Sequence, residues 1–402
     1  MRTLGSDTID NMSAKPSSAR RDPGYLGLTA PVETLPAAYY FDPGHYLREL
    51  HQVWYRNWMY VCRASDVAEP RSFRTLEIGD QSILVVRAED RVVRAFHNTC
   101  RHRGAALCRT PSGRFPAAGI VCPYHAWRYN LRGELQQASS RQPGDGFDVR
   151  DYPLYRLPAM EWNGFVFASL TADPPPFASS LDVPPERLDN WELDRLVMGH
   201  RASKTIECNW KVFWENYNEC LHCPGIHPRL SQLVPIFGRA LMEQREDPSW
   251  RDHADGDDPQ YIGGLRRGAQ SWTTDGRPVG VLFPRLTAEE RQAGHTYVTC
   301  LPSMFLAAHV DYVRVVRLLP LGPERTEMSI EFLVLPETLA DPARDLSRAV
   351  EFTDTVMSED AAICEVNQRG LHALAHAAGV LMPEEYVVRQ FQDWVRAQLS
   401  RA

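Results

Sequence analysis

Two short segments, NTCRHRGAALC at residues 98–108 and CPYHAWRYNLRGEL at 122–135, decide how the first half of the chain is read. They give Cys100-x-His102, nineteen intervening residues, then Cys122-x2-His125. Each half offers one thiolate and one imidazole on a tight turn, and two such turns can converge on one site. Two Cys and two His also suit tetrahedral zinc. Zinc-binding halves, however, usually pair like with like at wider spacing. A [2Fe–2S] cluster in which two His replace two Cys on one iron needs this mixed supply, one thiolate and one imidazole from each loop. We therefore expect Cys100, His102, Cys122 and His125 to hold such a cluster. Cys108 lies in the same loop but outside the ligand spacing and receives no role.

Around these turns the texture is that of strands. FRTLEIGDQSILVVRAEDRVVRAFHNTC (73–100) and LPAMEWNGFVFASL (157–170) are short β-branched and aromatic runs separated by Gly, Asp and Pro. An amphipathic helix precedes them in YYFDPGHYLRELHQVW, where Tyr46, Leu47, Leu50, Val53 and Trp54 recur at three- and four-residue spacing. TADPPPFASSLDVPP (171–185) is too proline-rich for regular structure and marks a boundary. The expected organisation is a polar tail and arm over 1–40, a cluster domain with its leading helix over 41–170, and a second domain over 171–402.

In the second domain ECNWKVFWENYNECLHC (207–223) is apolar around much of its circumference and reads as a core helix. Residues 243–295, rich in Asp, Gly, Pro and Arg, form a long loop region expected to cover or shape a pocket. HTYVTCLPSMFLAAHVDYVRVVRLLPLGPERTEMSIEFLVL (295–335) gives three strand-like runs of an antiparallel sheet. A long helix is expected from about Pro342 to Gly370 and a shorter one from Glu384 to Leu399. The fold class is α+β, an all-β domain followed by a curved antiparallel sheet packed on long helices.

Composition narrows the function. The 402 residues are 44% hydrophobic and carry a net charge of −7 from 44 basic and 51 acidic side chains, without a basic block that could track a phosphate backbone. Nucleic acid is excluded as an expected partner. No apolar run is long enough to span a bilayer, and the N-terminus has neither a signal-peptide nor a transit-peptide pattern, which suggests a cytoplasmic protein. Nine cysteines, an odd number, argue against a disulfide framework. Cys62, Cys108, Cys300 and Cys364 are scattered, and most of them are read as small buried hydrophobes.

A second metal site is legible in NYNECLHCPGIHP (216–228). His222 and His227 are five apart, which an unbroken helix would place on different faces. A break at Pro224-Gly225 is expected to end the helix and bring His227 back. Two histidines and one carboxylate with open positions is the donor set of non-haem Fe(II) oxygenases. Cys220 and Cys223 are read as packing residues. For the carboxylate, Asp360 on the C-terminal helix has Val356 and Met357 on one side and Ile363 and Cys364 on the other, a buried stripe where an uncompensated carboxylate is costly. Its neighbour Glu359 lies on a more polar strip.

The segments 98–108 and 122–135, and the order of the remaining chain over nearly its full length, resemble the α subunits of the ring-hydroxylating oxygenases, Rieske-type non-haem iron enzymes. EDAAICEVNQRGL (359–371) is similar to the pattern in which an Asp ligates the iron. One departure is Ala126, where that family usually carries Gly; the methyl is tolerable if the backbone angle is ordinary. The resemblance implies a helix-grip catalytic domain, a mononuclear Fe(II) held by His222, His227 and Asp360, O2 as co-substrate, and a homotrimer in which the cluster of one subunit feeds the iron of the next. It also implies that Glu219 bridges His125 of one chain to His222 of its neighbour. The chain has no dinucleotide fingerprint and no plant-type ferredoxin run, so NAD(P)H is expected to act only through a separate flavin or iron–sulfur reductase, with or without a ferredoxin.

Glu at 219 and YVRVVRLLPLGPERT (312–326) resemble the subgroup of choline monooxygenase, glycine betaine demethylase and carnitine oxygenase. This implies a monooxygenase that hydroxylates or N-demethylates a small amine or quaternary ammonium compound, with Phe213, Trp214 or Phe305 as candidate aromatic faces toward the cation. The alternatives are hydroxylation or dihydroxylation of an aromatic or polycyclic compound, and a non-catalytic Rieske electron carrier. The complete His222, His227 and Asp360 set speaks against the last.

Overall fold

Asp42 caps the first helix, Pro43–Glu49, by accepting a hydrogen bond from the His45 amide at 2.9 Å, and one π-type turn, Leu50–Trp54, extends it. The computed structural model describes residues 24–401 apart from Ala118 and Pro143. Residues 1–23 of the expected tail lie outside the described residues. Leu50, Val53 and Trp54 are buried as their spacing predicts, whereas Leu47 points to solvent.

The alternating runs that follow become antiparallel sheets. One has five strands in the order Arg156–Leu157, Val93–His97, Gln81–Arg87, Ser72–Ile78 and Ser112–Arg114. A second joins Ala159–Trp162, Phe165–Ala168 and Met59–Arg63, and a third, made of Ile120–Val121, Arg128–Tyr129 and Leu135–Gln137, carries the second Cys/His turn. The core beneath the turns is built from Phe73, Leu84, Phe96, Leu107, Trp127 and Tyr129. The proline-rich link is more ordered than its composition suggests. It forms the 3-10 turn Phe177–Ser180, accepts a hydrogen bond at the Pro175 carbonyl from Trp58 Nε1, and pairs Leu181 with Cys300.

Downstream, a five-stranded antiparallel sheet runs in the order Val197–Ile206, Arg325–Val334, Val313–Gly322, Met304–His309 and His295–Cys300. Residues 295–335 therefore hold four strands rather than three. The fifth, Val197–Ile206, is exposed over half of its length and lacks the apolar alternation that would have announced it. The sheet packs against the long helix Ser347–Leu371, with Tyr386–Leu399 and Trp210–Tyr217 completing the grip. No helix among the described residues is long and apolar enough to cross a membrane.

One hydrophobic cluster runs from Val53, Trp54 and Val61 to Trp210, Phe213, Phe305 and Met357, so both halves of the chain share a core. Within it Glu49 and Lys211, both fully buried, form an ion pair at 2.6 Å, and Trp210 Nε1 donates to Glu49 at 2.8 Å. This pair ties the leading helix to the segment that bears the candidate iron ligands.

Candidate active site

The segment 207–228 differs from its sequence reading in a way that explains the site. Asn209 caps the helix, its side chain accepting from the Lys211 amide, and the helix ends at Tyr217 rather than after His222. Pro224 and Gly225 are not the break: they lie inside the next short helix, Cys223–Ile226, where proline is at home in the first turn. The break falls at Asn218–Leu221 and is held by Glu219, whose carboxylate accepts from the amides of Leu221 and His222. The same turn brings the Cα atoms of Cys220 and Cys223 to 4.9 Å, and the two form a disulfide that brackets His222. They are thus bonded to each other rather than simple packing residues. Cys62, Cys108, Cys208, Cys300 and Cys364 are free and buried.

His227 reaches the site from the junction of two short helices and Asp360 from one turn of the long helix. Their donor atoms form a triangle. His222 Nε2 is 3.2 Å from His227 Nε2, His227 Nε2 is 2.9 Å from Asp360 Oδ1, and His222 Nε2 is 3.5 Å from that oxygen. Among the described residues this is the one group of three such donors within 4.8 Å of one another. Three donors facing one point, beside a cavity with a largely aromatic and apolar wall, is a fit for a mononuclear iron with open positions.

Each donor residue also has a second partner, behind the ring for the two histidines and on the facing oxygen for Asp360. Glu219 Oε1 lies 2.5 Å from His222 Nδ1, Glu359 Oε2 lies 2.8 Å from His227 Nδ1, and Asn216 Nδ2 donates to Asp360 Oδ1 at 2.7 Å. Such partners fix the ring orientation and raise its basicity, leaving Nε2 as the metal-facing atom. Burial alone would lower the His222 pKa, but Asp360 and Glu219 overcome it and raise it to about 9. Burial would likewise raise Asp360, yet the two histidines hold it well below the usual carboxylate range. The positions of Glu359 and Asn216 were not foreseen. Glu359 sits next to a buried Asp on a polar strip, and only the position of His227 gives it work.

The four donors of the first segment divide differently. The buried Cys100 thiol is raised by burial, with the Cys122 thiol beside it adding to the effect, and Tyr129 Oη lies 3.2 Å from Cys100 Sγ. The His102 and His125 rings sit 4.7 Å apart toward the surface, His102 stacked on Trp127 at 4.9 Å and His125 within 3.0 Å of Arg103 Nη2. A thiol pair beneath an imidazole pair fits a two-iron cluster; a single tetrahedral zinc would need all four donors at one point. Ala126, closing this turn, has φ 54°, so the backbone there is left-handed rather than ordinary.

A cavity adjoins the triangle of donors. Tyr217 and Phe305 stack at 4.0 Å, Phe213, Tyr297 and Trp272 continue the aromatic wall, and Arg314 reaches it from the sheet. Trp272 comes from the long loop region, which shapes the pocket as expected. Phe213 and Phe305 do face the cavity. Trp214 does not: it is fully buried and its Nε1 donates to the Pro302 carbonyl. On the other side of Asn216, Glu219 and His222 lies an outer cleft of about 340 Å³.

A cluster domain built on two Cys/His turns, joined through a shared core to a helix-grip domain with a non-haem iron donor set, defines the oxygenase component of a Rieske oxygenase, an oxidoreductase that uses O2 and electrons from a separate reductase. The chain belongs to the family of ring-hydroxylating oxygenase α subunits: residues 190–401 match the ring hydroxylating alpha subunit (catalytic domain) and residues 57–153 the Rieske [2Fe-2S] domain. It is 30% identical to the glycine betaine monooxygenase oxygenase subunit of Chromohalobacter salexigens, over 98% of this chain and 92% of that one. It is 26% identical to the chloroplastic choline monooxygenase of Beta vulgaris, over 98% and 84%. The fold is similar to that of a quaternary ammonium Rieske monooxygenase crystallised with L-carnitine, with a TM-score of 0.68 at 22% identity, covering 92% of this chain and 96% of that one.

Proposed function

We propose that this protein hydroxylates or oxidatively N-demethylates a small amine or quaternary ammonium compound. In this reading Cys100, His102, Cys122 and His125 hold the [2Fe–2S] cluster and His222, His227 and Asp360 hold the mononuclear iron. The iron supplies O2 activation when electrons reach it. The residues supply the rest. Glu219, Glu359 and Asn216 keep the three donors aimed at one point, and the aromatic wall excludes water and faces the substrate's cationic head. Oxygen insertion beside nitrogen yields a hemiaminal that loses an aldehyde; insertion elsewhere leaves an alcohol.

The observation that carries this reading is the aromatic wall of Tyr217, Tyr297, Phe305 and Trp272 around the cavity beside the donor triangle, a set of ring faces toward which a cationic head group can be placed. Glu219 lines both this cavity and the outer cleft. That position supports its role as the link from His222 to His125 of a neighbouring chain in a homotrimer. The protein would meet its reductase in the cytoplasm.

The test is substrate-coupled O2 uptake by protein with both metals loaded and a surrogate reductase, run against N-methyl amines, quaternary ammonium compounds and aromatic acids. Uptake matched by product formation from an amine is expected. Coupled uptake with aromatic compounds alone would replace this reading with ring hydroxylation.

A further inference from the structure

The other buried cations among the described residues have partners: Lys211 has Glu49, Arg87 has Glu161, and Arg63 donates to the Asn163 and Leu193 carbonyls over the Phe165 ring. The half-buried Arg317, on the strand Val313–Gly322, has Glu327 at 3.2 Å and the Val61 carbonyl at 3.0 Å. Arg314, three residues before Arg317 and therefore on the opposite face of the same strand, departs from this habit. It is 4% exposed, its Nε has no hydrogen-bond partner, and no acidic side chain among the described residues pairs with it. A buried unpaired guanidinium is among the costliest groups a fold can carry. Its place explains why it is kept. Arg314 stands opposite Ala307, whose other neighbour is Tyr297, so it shares the sheet face of Phe305 and Tyr297 and lines the cavity beside the iron donors.

The groups around Arg314 do not neutralise it. Asp311 is committed to Ser271 Oγ and the amides of Val279 and Gly280, Asp182 to the Thr299 amide, and Asp360 to His222, His227 and Asn216. His295 and His309 lie on the same sheet face, and burial, with Arg314 adding to it, lowers the pKa of both. The cavity is thus bipolar, with an aromatic wall that attracts a quaternary ammonium and a desolvated guanidinium that attracts a carboxylate and repels a net cation.

We propose that Arg314 anchors a carboxylate of the substrate, so that the cavity selects zwitterions carrying an alkylated amine and a carboxylate over simple quaternary cations. This rests on the amine reading above and sharpens it. The experiment is calorimetric binding of glycine betaine, choline and benzoate to metal-loaded protein with the cluster oxidised and O2 excluded, so that no turnover occurs. Wild type, Arg314→Gln and Arg314→Lys are compared, their folding checked by the cluster's visible spectrum. Wild type is expected to bind glycine betaine about a hundredfold more tightly than choline. Arg314→Gln should lose about that factor for glycine betaine while holding or gaining affinity for choline, and Arg314→Lys should recover part of it. Choline binding as tightly as glycine betaine in wild type overturns the anchor while leaving the amine reading in place, as does an unchanged preference in Arg314→Gln. Benzoate binding that depends on Arg314, with neither amine bound, supports the anchor and sinks the amine reading.

Discussion

Ala126 shows how much one backbone angle can hide. Its amide donates to the Cys122 carbonyl at 3.0 Å, and the Cys122 amide donates to Trp127, so the turn that carries His125 closes on this residue at φ 54°. A side chain with a Cβ pays about 1–2 kcal/mol to sit in the left-handed region. Glycine removes that cost but gains freedom in the unfolded chain, worth about 0.4–1 kcal/mol in the other direction. Ala126→Gly is therefore expected to stabilise the cluster turn by about 0.5–1 kcal/mol. The measurement is the temperature at which the oxidised cluster loses its visible absorption. An unchanged or lower temperature in the variant would show that the turn stores no strain. The sequence could say that alanine replaced the usual glycine; it could not say that the angle was the reason glycine is usual there.

The leading helix is joined to the segment that bears the candidate iron ligands by a fully buried charged contact. Glu49 and Lys211 are both fully buried, and burial lowers the Lys211 pKa while Glu49 raises it again. Removing one partner leaves the other charged and unpaired, so Glu49→Leu should cost about 3–5 kcal/mol of stability, whereas Glu49→Leu with Lys211→Met should return most of it. Denaturant unfolding of the three proteins decides this, and a double variant no more stable than Glu49→Leu would rule out the pairing as the cause. Neither residue stood out in the sequence, because a Glu in an amphipathic helix and a Lys in an aromatic one both read as ordinary surface groups. The same limit applied to Glu359 and Arg314, whose importance depends on what lies across from them. What was legible was local: ligand types at fixed spacing, the alternation of the cluster domain, the apolar stripe around Asp360. What was not legible was set by tertiary position, including the half-exposed strand Val197–Ile206, the early end of the helix at Tyr217, and the approach of Cys220 to Cys223.

Two routes lead from a cluster to an iron, one within a chain and one between chains. Glu219 is anchored to His222 on one side and lines the outer cleft on the other, so a donor histidine from a second chain could reach it without disturbing the cavity. If electrons cross between subunits, a chain without a cluster and a chain without iron can complement each other. On the proposed assignments Cys100→Ser removes a thiolate of the cluster and Asp360→Ala removes the carboxylate of the iron site, so each homo-oligomer alone should be inactive. When the two are co-expressed and mix at random, a productive junction needs an iron-bearing chain next to a cluster-bearing chain in the right order. With equal expression that occurs at about one junction in four of a cyclic trimer, so the mixture should recover about a quarter of wild-type turnover. Adding Glu219→Gln to the iron-bearing chain should abolish the recovery while its iron content stays intact. If transfer ran within one chain, no mixture could work at all, because no chain in it holds both centres, and activity indistinguishable from that of the separate variants would refute the inter-subunit route.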